Sequence, residues 1–189
     1  MRIIAGKARR LPLRTLPGRD TRPTTDRIKE TLFNILAPRL EGAYFLDLFA
    51  GTGQIGLEAI SRGSAYCVFV DNQKKACEVI ADNIAFTKLG DQCRLMQTDA
   101  CSALRQLEGK YRFDLIFLDP PYRQNLEAEV LAYLADSSLL KEQALVIVEA
   151  DDHTDFSYVE ALGFEIQREK VYKTNKHVFL ARKQEMEEE

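Results

Sequence analysis

Two rhythms of apolar and polar positions alternate along most of this chain. Residues 44–49, 65–70, 94–97, 113–118 and 144–149 are short runs, apolar at both parities, and read as buried strands. Between them, residues 54–62, 73–88, 100–107 and 126–135 carry apolar positions at helical spacing and read as amphipathic helices. Strands of this kind alternating with such helices imply a parallel sheet covered on both faces. After Glu149 the rhythm changes. Residues 156–162 predict a short helix closed by Gly163. Residues 164–172 and 176–181 lie close enough in sequence to pair antiparallel through Lys173-Thr174-Asn175. The pattern predicts an α/β fold with a mostly parallel seven-stranded sheet and an antiparallel C-terminal strand.

The first forty residues keep neither rhythm and form a small N-terminal extension. Ile3-Ile4 and Leu11-Pro12-Leu13 flank Gly6-Lys7-Ala8-Arg9 and allow a small hairpin, which Pro12 confines to an edge. Pro17-Gly18 and Arg22-Pro23 punctuate the next segment. A helix is predicted from Thr24 or Thr25, either a suitable N-cap, with Asp26 in its first turn. Ile28, Leu32, Ile35 and Leu36 form its apolar stripe, Arg27, Lys29 and Glu30 lie off it, and Pro38 ends it. The expected organisation is a dependent basic arm over residues 1–40, a main domain over 41–183, and a disordered acidic tail over 184–189.

Charge changes the picture of that arm. The 189-residue chain has a net charge of −3, but residues 1–39 hold ten Lys/Arg against three Asp/Glu, a net +7. The remainder holds sixteen against twenty-six, a net −10. A basic arm on an acidic body suits a phosphate backbone, or is merely a solvated terminus. No apolar run approaches the roughly 20 residues of a membrane span, and the start is charged too early for a signal peptide. Cys67, Cys77, Cys93 and Cys101 include no Cys-x-x-Cys pair, and both histidines lie far away, so no metal is expected. Reduced thiols fit a cytoplasmic protein, which we expect to be a monomer.

The chemistry begins at the first strand. Asp47-Leu48-Phe49-Ala50-Gly51-Thr52-Gly53-Gln54-Ile55-Gly56 leaves it and enters a helix. Gly51 and Gly53 allow a tight turn and close approach of a ligand, and Gly56 allows close helix–strand packing. Asp71 stands 20 residues after Gly51, where a carboxylate can accept both hydroxyls of a ribose. The spacing indicates a nucleoside-containing cofactor. Asp47 would repel a pyrophosphate but suits a methionine ammonium. Asp99, before Ala100, ends the third strand where it can meet an adenine amine or cap the next helix. These acids favour S-adenosylmethionine over a dinucleotide.

The fourth strand delivers Asp119-Pro120-Pro121-Tyr122 to its C-terminal edge, the edge at which open α/β sheets bind ligands. Two prolines stiffen the backbone and remove two donors, which leaves the Pro120 carbonyl as an acceptor beside the Asp119 carboxylate. Tyr122 offers a face for stacking. Such a site suits a planar base with an exocyclic amine. The plainer reading is a Pro-Pro turn with Tyr122 covering the core.

The run from Thr21-Arg22-Pro23-Thr24-Thr25-Asp26-Arg27 and Glu30-Thr31-Leu32-Phe33-Asn34 through the glycine turn to Leu118-Asp119-Pro120-Pro121-Tyr122 resembles the RsmD family. These are bacterial 16S ribosomal RNA guanine-N2 methyltransferases. The likeness covers residues 2–182, and the Arg-Pro-Thr…Leu-Phe-Asn stretch is its more specific part. It implies a Rossmann-like class I methyltransferase fold, S-adenosylmethionine as cofactor, and the small ribosomal subunit or its 16S rRNA as partner. It implies Asp119, Pro120 and Tyr122 as the catalytic group. Asp47, Gly51, Gly53, Asp71, Asn72, Asp99 and Ala100 would bind the cofactor. Arg9, Arg10, Arg22 and Arg27 are the RNA-contact candidates. Asp71 departs from the glutamate common at that position. Amino-methylation of another RNA or DNA base, a non-catalytic RNA-binding assembly protein, and a dehydrogenase are the alternatives.

Overall fold

The computed structural model describes residues 1–16, 25–122 and 124–184. Arg22 and the acidic stretch 185–189 lie outside the described residues. Strands β1 (Tyr44–Asp47), β2 (Tyr66–Asp71), β3 (Cys93–Gln97), β4 (Phe113–Leu118), β5 (Leu140–Asp151), β6 (Phe164–Val171) and β7 (Asn175–Arg182) form one sheet in the order β3-β2-β1-β4-β5-β7-β6. The first five run parallel; β7 enters antiparallel between β5 and β6. Helices α1 (Asp26–Leu40), α2 (Gln54–Ser61), α3 (Lys74–Thr87), α4 (Ala100–Leu107) and α5 (Leu126–Ala135) complete the Rossmann-like fold.

Alternating strand residues feed two cores. Leu46, Val68, Val70, Ile116 and Val148 pack with Leu104, Leu107, Val130 and Leu134 of α4 and α5. Phe45, Phe69, Phe117 and Phe179 face the other way and pack with Leu32, Phe33 and Leu36 of α1, Leu57 of α2 and Ile80 of α3. All four phenylalanines are essentially fully buried. At about 1.5–3 kcal/mol each, such burial fixes which face each strand presents. The second core also takes in Ile3, Ala8 and Leu13, so residues 1–16 are packed onto the sheet rather than loose. An antiparallel bridge pairs Arg2 with Pro12.

Four expectations need correction. Helix α1 passes through Pro38 to Leu40. The missing N–H falls in the last turn, opposite exposed Asn34, and the extra turn buries Leu40. Lys29 lies on the buried face, fully inaccessible, because α2 supplies Glu58 to meet it. Strand β5 begins at Leu140, since Leu140 pairs with Phe113 and the Lys141 ammonium bonds Asp114 at 2.7 Å. Residues 156–162 contain only a 3-10 turn, Ser157–Glu160, preceded by a competing local bond from Ser157 N to Asp155 at 2.9 Å.

Candidate active site

Each parallel strand hands an acid to the same edge of the sheet. Asp47 ends β1 and accepts a bond from Gly56 N at 3.1 Å. Its carboxylate thereby serves the start of α2, whose N-cap, Gly53, has no side chain to do so. Gly51 and Gly53 hold φ of +58° and +77°, the left-handed region that the turn demands. A Cβ on Gly56 would stand 2.3 Å from Phe69 and 2.6 Å from the Cys67 sulfur, so only glycine lets α2 settle on β2. At Gly51 nothing lies within 4 Å of a notional Cβ, which leaves the mouth of the turn open.

Asp71 reaches back to that turn. Its Oδ2 accepts from Gly51 N at 2.9 Å and its Oδ1 from Gln73 N at 2.8 Å. The next residue, Asn72, is exposed. Asp99 caps α4 through Ser102 N at 2.8 Å, and those hydrogen bonds hold its carboxyl below the usual range. Ala100 is buried as the first residue of α4. The capping role foreseen for Asp99 is thus present; the carboxylate still lies at the ligand edge.

Asp119 comes directly after β4, one strand across from Asp47. It is exposed to solvent, although protein atoms crowd round it. Desolvation first, then the negative charges of Glu149 and Asp47, push its carboxyl well above the usual carboxylate range. Asp47 is raised to about 7, mainly by complete burial, with Asp71 adding and the Gly56 bond opposing. Pro120 is buried, and Tyr122 remains 43% exposed. That exposure excludes Tyr122 as a cover for the core and places its ring at the surface of the edge.

Glu149 is the residue that strand-by-strand reading missed. It is buried on β5 and accepts from Asn175 Nδ2 at 2.8 Å and from His177 Nε2 at 3.0 Å. The signal was present: it is an acid closing the apolar run that predicts a strand over 144–149, two residues before the observed end of β5. A cavity of about 580 Å³, lined by Asn125, Glu127, Ala128, Asp151, His153, Thr154, Asp155 and Tyr158, opens at the same edge. It does not include Asp119, so the candidate site rests on side-chain chemistry rather than on cavity size.

The basic candidates separate into two groups. Arg9 and Arg10 are exposed on the bridge between Ile3 and Leu11, and Arg27 is exposed on α1. Arg2 pairs with Asp26 at 3.0 Å, Arg14 with Asp82, and Lys29 with Glu58 at 3.5 Å. The arm nevertheless passes the ligand edge. Asn83 accepts from Arg14 N at 2.8 Å and donates to the Thr52 carbonyl of the glycine turn at 2.9 Å.

The family described as conserved hypothetical protein 95 matches residues 1–181. The chain is 38% identical over 173 residues to the Escherichia coli (strain K12) protein named ribosomal RNA small subunit methyltransferase D, covering 90% of this chain and 84% of that one. The Haemophilus influenzae protein of the same name is 36% identical over 152 residues, 80% and 79% of the two chains. The solved structure of yhhF from Escherichia coli superposes with a TM-score of 0.86 at 35% identity, over 97% and 98% of the two chains. A glycine turn, a row of strand-end acids and a docked basic arm thus sit on a shared fold, and the chain belongs to the conserved hypothetical protein 95 family, the RsmD family of methyltransferases.

Proposed function

We propose that this protein transfers a methyl group from S-adenosylmethionine to the exocyclic N2 amine of a guanine in 16S rRNA, within the small ribosomal subunit. The observation that carries the reading is the gathering of Asp47, Asp119 and Glu149 at one strand edge, where, among the described residues, the charges acting on Asp119 are carboxylates. Such an edge attracts a cationic ligand and an amine donor, and repels phosphate. The names of the E. coli and H. influenzae relatives support the RNA assignment.

The residues suit the cofactor. Asp47 would meet its ammonium, Asp71 and Asn72 its ribose, Asp99 and Ala100 its adenine, and the open face of Gly51, in the turn that Gly53 completes, leaves room for its chain. When bound, S-adenosylmethionine supplies a methyl group on a sulfonium sulfur, an electrophile that a nitrogen lone pair attacks directly.

The difficulty lies with the base, whose amine lone pair is delocalised into the ring. Asp119 and the Pro120 carbonyl accept from the NH2 and favour a more tetrahedral nitrogen, with its lone pair aimed out of the ring plane. They also stabilise positive charge developing on that nitrogen, an electrostatic contribution aimed at the transition state. The raised proton affinity of Asp119 makes it a ready acceptor for the amine's proton. Tyr122 would stack on a base drawn out of its helix or loop. Arg9, Arg10, Arg22 and Arg27 would hold phosphates along the arm over residues 1–40.

The test is methyl transfer from labelled cofactor to ribosomal RNA, offered free and in assembled small subunits, with the modified nucleotide mapped. Label on guanine N2 is the expected result. Label on another base, or on DNA alone, would replace the substrate; no transfer to any nucleic acid would sink the enzyme reading.

A further inference from the structure

Behind Asp119 lies a set of buried polar groups to which the proposed chemistry assigns no step. The Glu149 carboxylate lies on β5, next to the β4 strand that Asp119 terminates; Leu118 pairs with Val148, so Asp119 and Glu149 occupy neighbouring positions. On its other side Glu149 pairs in register with His177 of β7. His177 is fully buried, and its Nε2 stands 3.0 Å from Glu149 Oε2. Its Nδ1 lies 3.4 Å from the Tyr172 hydroxyl. Phe117, Tyr172 and Phe179 meet the imidazole edge-to-face, which fixes the plane of the ring. Asn175 satisfies the second carboxylate oxygen.

We propose that Glu149 and His177 form a positioning pair that sets the protonation state of Asp119. The Glu149 charge strengthens the hold of Asp119 on its proton, and His177 limits that effect by partly compensating the charge. The surroundings leave few competitors for this role. Among the described residues, the charges acting on Asp119 are Glu149 from β5 and Asp47 from β1, and Asp47 in turn faces Asp71 from β2. Tyr172 faces Glu149 and Arg168 of β6. Lys176, the neighbour of His177, is directed elsewhere: it pairs with Glu169 at 2.6 Å and lies over the Phe156 ring. Neutral His177 supplies Glu149 with one N–H; protonated, it supplies a full counter-charge. Two carboxylates with one imidazole behind them therefore respond in opposite senses to loss of the inner carboxylate and loss of the imidazole.

The link to turnover rests on the methyl-transfer reading above; the electrostatic claim does not. The direct test tracks the Asp119 carboxyl carbon by NMR titration of the full chain, labelled with ¹³C-aspartate, Asp119→Asn assigning the signal. Glu149→Gln is expected to lower the Asp119 midpoint by about one pH unit or more. His177→Leu is expected to raise it. His177→Gln, whose amide can still donate to Glu149, should fall between wild type and His177→Leu. Coincident midpoints, or shifts of the same sign in Glu149→Gln and His177→Leu, would overturn the pairing; a purely structural role predicts lost stability with an unmoved midpoint. Should His177→Leu fail to fold, the opposed signs of His177→Gln and Glu149→Gln carry the same test. The acidic limb of the pH dependence of kcat/KM for methyl transfer is then expected to move in the same order. Shifted midpoints in a protein that transfers no methyl group would support the pair and sink the functional reading.

Discussion

Two clusters of charge among the described residues, one buried and one reaching the surface at Asp119, are treated differently by the fold. Under the N-terminal arm, Glu58 is fully buried and fully met. It accepts from Ile4 N at 2.8 Å and Ala5 N at 3.0 Å, pairs with Arg62 at 2.7 Å, and faces the Lys29 ammonium, itself bonded to the Arg2 carbonyl. At the strand edge, Asp47 and Asp119 face each other and Glu149 with no cation between them among the described residues, and both take up protons readily. The first group is complete without a ligand and fastens the arm to the domain. The second is incomplete, and a cation or an amine completes it. Charge balance, more than burial, separates the structural cluster from the functional one.

The largest effect that could break this comparison is in the structural cluster. Lys29→Ala leaves Glu58 with half its counter-charge in a dry site, and removing one partner of a buried pair costs about 3–5 kcal/mol. Thermal unfolding should fall by roughly 10 °C. An unchanged melting temperature would mean that Lys29 is a bystander. The counterpart at the edge is Asp119→Ala, expected to slow methyl transfer about 10²–10³-fold while weakening S-adenosylmethionine binding, by calorimetry, far less than loss of the Asp47 charge does. Lost cofactor binding instead would erase the division of roles between the two strands.

Asp47→Asn sharpens the contrast, because its expected sign is reversed. The carboxyl of Asp47 titrates at about 7 in the fold against 3.8 for the ordinary group. A raised acid contributes stability that is fully present below its unfolded value and is lost as pH rises through about 7. The amide can still accept from Gly56 N without carrying a charge. Asp47→Asn should therefore raise stability at pH 8 by a few kcal/mol at most, read as a higher melting temperature, and the gain should vanish below about pH 4. The same change should weaken S-adenosylmethionine binding. Destabilisation at pH 8 would show that the anion is compensated after all.

The sequence revealed much of this edge and little of the cluster under the arm. Phe113–Leu118, Ala100–Leu107 and Leu126–Ala135 were readable to the residue, because local apolar rhythm and a capping acid suffice there. Lys29 was misplaced because its partner lies 29 positions away on another helix, and no local pattern marks a lysine as paired. The bond from Glu149 to His177 depends on β7 entering antiparallel beside β5, a register that only the assembled sheet reveals. Strand β5 began early for a similar reason: Lys141-Glu142-Gln143 look like a turn until Asp114 and Phe113 are set beside them.

Cofactor affinity gives a subtler comparison. A cation favours the ionised form of Asp47, so S-adenosylmethionine should bind more tightly as pH rises toward about 7 and level off above it, by up to about tenfold per unit for that proton. Its sulfonium also favours ionised Asp119, whose proton is held well above the usual carboxylate range. S-adenosylhomocysteine keeps the ammonium but lacks the sulfonium charge. Its dependence should be shallower, reporting Asp47 and little of Asp119. Parallel slopes for the two ligands would place the sulfonium away from Asp119.

The smallest expected effect concerns the arm itself. Arg14 and Arg2 are engaged with Asp82 and Asp26, whereas Arg9 and Arg10 project into solvent from residues pinned by Ile3 and Ala8. If charge balance decides function here too, the solvent-facing arginines hold phosphate and the paired ones hold the fold. Each phosphate contact to single-stranded RNA adds about 0.7 to the slope of log affinity against log salt. Arg9→Ala with Arg10→Ala should therefore reduce that slope by about 1.4. Arg14→Ala should change it by less than half as much, because its charge is already shared with Asp82. Exposed ion pairs are weak, about 0–1 kcal/mol, so Arg14 can be removed without unfolding the arm. Equal slopes for the two variants would show that pairing on the surface does not withdraw an arginine from RNA, and the rule drawn from the two clusters would not extend to the arm.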